Sequence, residues 1–260
     1  MNPPPARAGV HALAMILAIG SVPSAHAAGP SFDCATARGP VESTICTSPR
    51  LSRLDVRIDA AYRRARQAWR ADGAMVEALR NTQRDFLDDR SAALDLSSDG
   101  LALLLAARAN LLEALDPRPR SGFDGEWGNL AGALRIARDP SGLTIWGGAA
   151  EPVLARWICE VDDTGTVVGT TFYAPPEAAG AIAYPEWSLR IDRIDGGLRV
   201  LEVGPPGTET APDGRALAQT PRCGRRGRLD GHYFPTRGLL RTNRGLRHTP
   251  PSSSDRADKP

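Results

Sequence analysis

The sequence predicts an α+β protein of two domains, a small disulfide-stapled helical bundle followed by an antiparallel β-barrel or sandwich. Two observations carry the prediction. From Phe32 to Leu115 apolar residues recur every three or four positions, and beyond Gly122 they alternate, with turn clusters between the runs. The 260 residues, 42% hydrophobic and 24% charged, are enough for one or two globular domains and exclude a wholly disordered chain.

Residues 1–27 read as a secretory signal peptide: Arg7, an apolar stretch from His11 to Val22, and Ala25-His26-Ala27 as the cleavage site. The stretch is shorter than the roughly 20 residues that span a bilayer, and no other run approaches that length. The chain is therefore expected to be periplasmic or secreted and not membrane-spanning. All four cysteines (Cys34, Cys46, Cys159, Cys223) remain after cleavage, and an even count in an exported chain favours disulfides.

Residues 31–115 form the predicted helical domain. Gly39-Pro40 opens a first helix, and Ser48-Pro49 is a cap followed by a first-turn proline. Leu51, Leu54, Ile58, Tyr62, Ala65 and Trp69 then fall on one stripe, which Gly73 is expected to end. A second stripe runs through Met75, Leu79, Thr82 and Phe86, and a third helix begins near Asp99. Such amphipathic helices must cover one another's apolar faces, so a bundle is the natural packing.

Residues 116–121, rich in proline and arginine, read as a linker, and 122–234 as an all-β domain. Its alternating runs are Leu134/Ile136, Leu143/Ile145, Val153 to Val161, and Trp187/Leu189/Ile191. Turns are expected at Asp139–Gly142, Asp162–Gly165 and Asp195–Gly197, the last a hairpin. Seven or eight short strands favour a closed barrel or a sandwich, which manage the exposed edges of an open sheet. Residues 235–260, with few bulky apolar side chains, read as a disordered tail.

Net charge is only +2, so nucleic acid is not an expected partner. The total hides a division: residues 31–121 carry 14 basic and 13 acidic side chains, 122–221 carry 7 and 14, and 222–260 carry 10 and 3.

Ser31-Phe-Asp-Cys34 and Ile45-Cys46, followed by Leu54-Asp55, Tyr62, Leu79-Arg80, Gln83-Arg84, Phe86-Leu87 and Arg90, and more weakly Arg108 to Leu115, resemble the N-terminal domain of the lysozyme-inhibitor LprI family. The resemblance covers residues 31–115 and implies an exported bacterial helical domain with a Cys34–Cys46 bond. Cys159 and Cys223 would then pair within the β domain, with crossed pairing left open. Family members commonly carry a second cysteine pair, where this chain has Ala93 and Gly100. Its absence predicts a looser connection between the last two helices. The implied function is binding and inhibition of a lysozyme-type muramidase, without enzymatic activity. The alternative is a periplasmic scaffold or a ligand- or glycan-binding module.

No catalytic, metal or cofactor site is expected. The mature chain keeps only His232 and His248, and neither C-x-x-C nor H-E-x-x-H occurs. Gly122, Gly125 and Gly128 lack the spacing of a phosphate loop. Glu126 and Glu160, each close to a tryptophan, are the pair to weigh for glycoside hydrolysis, against the simpler reading of solvated acids. Trp127, Trp146, Trp157 and Trp187 read as core or strand pairing, with one or two available to a ligand. The arginines from Arg222 to Arg228, with Arg237, Arg241, Arg244 and Arg247, could hold an anionic envelope polymer or simply be solvated.

Overall fold

The structure is a computed structural model that describes residues 29–92, 97–140, 142–175, 186–212 and 214–242. The expected signal peptide and the aligned position Ala93 lie outside the described residues, as do residues 243–260, which include Arg244, Arg247 and His248.

Four helices form the first unit: α1 (Gly39–Thr47), α2 (Pro49–Ala68), α3 (Gly73–Ala92) and α4 (Ser98–Ala114). Pro40 stands in the first turn of α1, and the Ser48 side chain accepts from Leu51 N at the start of α2. Ala68 ends α2, with Trp69 as its cap; Gly73 opens α3 rather than closing α2. The reversal is made by Asp72, whose carboxylate accepts from Met75 N at 2.9 Å and so caps the next helix. The bundle core joins Ile45, Leu51, Ile58, Met75, Leu79, Phe86 and Leu105.

Eight antiparallel strands close into a barrel in sequence order: β1 (Gly125–Gly128), β2 (Gly132–Asp139), β3 (Gly142–Ala150), β4 (Ile158–Val168), β5 (Thr171–Ala174), β6 (Ser188–Ile194), β7 (Gly197–Val203) and β8 (Gly231–Thr236). Pairing of β8 with β1 leaves no sheet edge open. Trp127, Leu134, Ile136, Ile145, Phe172, Leu189, Ile191, Val200 and Tyr233 fill the interior. Gly147 has φ +137°, and a Cβ there would lie 2.3 Å from the Ala133 carbonyl oxygen. Gly147→Ala is expected to cost about 1–3 kcal/mol by urea denaturation, the usual range for strained backbone.

Three expectations need correction. Asp162–Gly165 is no turn: it lies within β4, with Asp163 turned inward to pair with Arg222. Residues 153–157 are not strand: 152–154 form a turn, held by Glu151, whose carboxylate accepts from Val153 N and Leu154 N, and 155–157 are irregular. Pro235 does not begin a disordered segment, because β8 continues to Thr236 and a short helix, α5 (Leu239–Thr242), follows. Leu239 is buried against Leu111 and Ala133, an anchor that the local composition does not advertise.

The two units share an interface. Phe234 on the outer face of β8 stacks on Trp69 with ring centroids 6.0 Å apart and belongs to the bundle core. The end of α4 runs on beside β8: Asp116 N donates to Pro235 O and Arg237 N to Ala114 O, both at 2.9 Å. The expected linker is thus tied down at its first residue. Asp116 is buried and takes Arg118, Arg120 and Arg237 around one carboxylate, and the hydrogen bond from Arg118 holds its pKa well below the usual range.

Candidate functional site

Cys34 and Cys46 are bonded, as are Cys159 and Cys223. The first bond pins the turn at Cys34–Thr36 to α1. The second joins an inward residue of β4 to the long β7–β8 connection. Strand β4 pairs with β5 only from Thr166 to Val168, so its first residues need another partner on that side. The connection supplies it: Glu160 N donates to Arg222 O at 2.9 Å and Gly224 N to Ile158 O at 2.8 Å.

This connection closes one end of the barrel over a buried polar group. Glu202 on β7 is fully buried and accepts from Leu229 N at 3.3 Å; its own amide donates to Asp230 at 2.7 Å. Burial pushes the Glu202 carboxyl up to about 7, and Asp230 adds to the rise. Arg222 donates to Asp163 at 2.8 Å and to Ala174 O at 3.0 Å. Arg228 reaches Ala216 O at 2.5 Å and Asp230 at 3.7 Å. Arg222 and Arg228, weighed as part of a polymer-binding run, are therefore spent inside the fold, and Arg237 is held at Asp116. Within residues 222–228 Arg225 and Arg226 are the exposed arginines.

Glu126 and Glu160 do not form an acid pair. Both lie on the outer face of the barrel, on strands three apart, which is about 14 Å at ordinary strand spacing and beyond glycosidase separations. Glu126 is buried and accepts from Leu239 N at 2.6 Å and Thr236 Oγ1 at 3.1 Å, so it caps α5. His232 sits beside Phe234, centroids 4.5 Å apart, and burial lowers its pKa to about 4. Gly125 and Gly128 belong to β1, not to a phosphate loop. Among the described residues no group of three or more His, Cys, Asp or Glu is placed to hold a metal ion. No described helix is long and apolar enough to cross a membrane.

Trp127 is core, its Nε1 donating to Phe123 O at 2.6 Å beneath Arg120. Trp157 and Trp187 are half-buried. Trp146, 42% exposed, stands on the outer face of β3 with Arg135 and Asp162 directly opposite on β2 and β4.

In the bundle, Asp55, Phe86, Arg90 and Arg108 among the residues that carry the sequence resemblance turn inward, whereas Arg80, Arg84 and Leu87 are exposed. Asp55 accepts from Ser31 N at 2.7 Å and faces Arg90 at 3.5 Å, and Arg90 also reaches Glu42 at 3.4 Å. Arg108, 1% exposed, donates to Gln83 at 2.9 Å and lies 5.5 Å from the Phe86 ring. These two networks join α1 to α2 and α3, and α3 to α4. Residues 34–118 match the family model of the lysozyme inhibitor LprI. The LprI match covers about a third of the chain, and the barrel is unassigned. No curated protein and no solved structure matches. The exposed side chains of the bundle are those within reach of a partner. On α3 these include Asp85, Asp88 and Asp89, gathered in the last two turns around the exposed Leu87. Acids at a helix C-terminus oppose the helix dipole, at about 0.3–1 kcal/mol each. Burial and the two neighbouring aspartates raise the Asp89 carboxyl above its ordinary value.

Proposed function

We propose that the protein is an exported, non-enzymatic inhibitor that binds a lysozyme-type muramidase through its helical domain, after cleavage near Ala27. The observation that carries this reading is the LprI family match over residues 34–118. Two disulfides support export, since such bonds persist in oxidising compartments. The α3 end supplies a contact of the right sign: lysozymes are commonly cationic, and Asp85, Asp88 and Asp89 place negative charge beside an apolar side chain. At micromolar concentration the purified protein is expected to slow cell-wall lysis by at least one lysozyme class. Asp85→Asn with Asp88→Asn and Asp89→Asn should weaken inhibition about tenfold, mostly at low salt. Absence of inhibition of every class, with both disulfides intact, refutes the reading.

One observation favours a second reading, a glycan-binding module. The row Arg135, Trp146 and Asp162 sets an aromatic face between a donor and an acceptor, and among the described residues no cation or ring lies over Trp146. Sugar that co-purifies with the protein and is lost in Trp146→Ala would favour this reading; inhibition retained in that variant would favour the first.

A further inference from the structure

We propose that the exposed face of α2 binds a linear polyanion through its phosphate groups. Between residues 50 and 70 the chain has seven arginines (Arg50, Arg53, Arg57, Arg63, Arg64, Arg66, Arg70) and two acids, Asp55 and Asp59. The helix sorts them. Leu51, Asp55, Ile58, Ala61, Ala65 and Trp69 are buried. Asp55 is turned to Arg90 and Ser31, so the outer face keeps Asp59 as its one acid. At 100° per residue Arg50, Arg53, Arg57 and Arg64 fall within about 60° of one another, with Arg63 about 80° to the side of Arg53; Arg66 lies on the opposite side of the helix and Arg70 follows its end at Ala68. The ridge from Arg50 to Arg64 is about 21 Å long at 1.5 Å per residue.

Three of the seven are paired: Arg50 with Asp99 at 2.7 Å, Arg57 with Glu113 at 2.7 Å, and Arg63 with Asp59 at 2.5 Å. Arg53, Arg64, Arg66 and Arg70 make no ion pair among the described residues, although Arg64 contributes at longer range to lowering the Glu113 pKa. A merely solvated helix face usually mixes the signs. Here Arg50–Arg53 and Arg53–Arg57 are like-charge neighbours at helical spacing, which is unfavourable. A chain of regularly spaced anions relieves that repulsion along its whole length. At the C-terminal end of the ridge, Ala60, Arg63, Arg64, Gln67 and Ala68 line a shallow depression. A phosphate can settle there between guanidinium forks, which match its oxygens bidentately. The near-neutral count over residues 31–121 concealed this face, because the compensating acids sit elsewhere, notably at the end of α3.

The face is distinct from the one proposed for the muramidase, which as a cationic partner α2 repels. The test is titration of the purified protein with long-chain polyphosphate from 20 to 200 mM salt. Binding that weakens steeply with salt is expected. Arg53→Gln, Arg57→Gln, Arg63→Gln and Arg64→Gln together should lower affinity at least tenfold and flatten the log–log salt slope by about 3, at roughly 0.7–0.9 per lost contact. Arg138→Gln with Arg225→Gln should bind as wild type does. Poly-glutamate of matched charge should bind at least fivefold more weakly. No binding at 20 mM salt, an unaffected quadruple variant, or equal affinity for poly-glutamate overturns the proposal. Muramidase inhibition by the quadruple variant should stay at the wild-type level, so either activity can fail without the other.

Discussion

Cys159→Ala with Cys223→Ala is expected to lower the unfolding free energy by about 4 kcal/mol, the chain-entropy value for a crosslink 64 residues apart. Urea denaturation of oxidised wild type and double variant measures it. The bond sits where entropy matters most: the β7–β8 connection is the barrel's longest, and Leu229, Ala216, Thr220 and Arg222 from it are buried. Without the crosslink those residues must be held by Glu202, Gln219 and the short pairing along β4. Gln219 donates to Cys223 O at 2.9 Å and Gly224 O at 3.0 Å, which holds the loop only while the loop is in place. Hydrogen exchange should therefore rise first at Glu160 N and Gly224 N, ahead of the bundle. Removing Cys34 and Cys46, 12 residues apart, should cost less, about 3 kcal/mol, and loosen only the segment before α1. A loss below 1 kcal/mol for the Cys159–Cys223 pair would show that the connection is fixed by its hydrogen bonds instead.

The helical unit was the more legible half, for a physical reason. Its elements are long, local and bounded by residues whose caps act within a few positions, such as Ser48-Pro49 and Ser97 ahead of α4. Gly73 misled because a glycine past an apolar stripe reads as a stop, whereas Asp72 already caps the next helix. In the barrel, alternation revealed that strands exist but not where they begin. Asp162-Asp163-Thr164-Gly165 has the composition of a turn, and Arg222, which pairs with the inward Asp163, is distant in sequence. The anchoring of residues 235–242 was equally hidden, since it rests on Leu239 reaching Leu111 and on Glu126 capping α5. The candidate surfaces were illegible for a related reason. Sorting of Arg and Asp onto different helix faces depends on which face is buried, and a segment total of near-zero charge averages over it. The resemblance pointed to Asp55, Gln83, Phe86, Arg90 and Arg108, which turn out to build the bundle that carries those surfaces.

Stability between about pH 4.5 and 6.5 is expected to be nearly flat in the wild type because two buried groups oppose each other. Glu202 titrates near 7 in the fold against 4.5 as a free group, so its protonated form is preferred in the folded state. Its contribution is fully present below pH 4.5 and is lost as pH rises through 7, about 3 kcal/mol in all. His232 titrates near 4 against 6.5, because its ring, with Nε2 buried and unpartnered, resists charge. Its contribution is present above pH 6.5 and is lost as pH falls through 4, again about 3 kcal/mol. Asp116, held well below the usual carboxylate range by Arg118, keeps its contribution until the pH drops below the ordinary aspartate value, so it does not disturb this window. Each half is exposed by removing the other. Glu202→Gln should leave the His232 loss uncovered, so that the variant loses about 2 kcal/mol more than wild type between pH 7 and pH 5. His232→Phe should do the opposite and gain stability over the same interval, from the protonation of Glu202 with a contribution of the same sign from Asp230, whose pKa burial also raises. The charged groups that face Glu202 are Asp230, which raises its pKa, and Arg222, which lowers it. Arg222→Met should therefore move the Glu202 titration upward. It also strips Asp163 of its partner, so the shift must be read from the carboxyl signal of Glu202 rather than from stability. Parallel pH profiles for wild type and both single variants, by urea denaturation at half-unit steps, would show that neither group titrates as its burial requires.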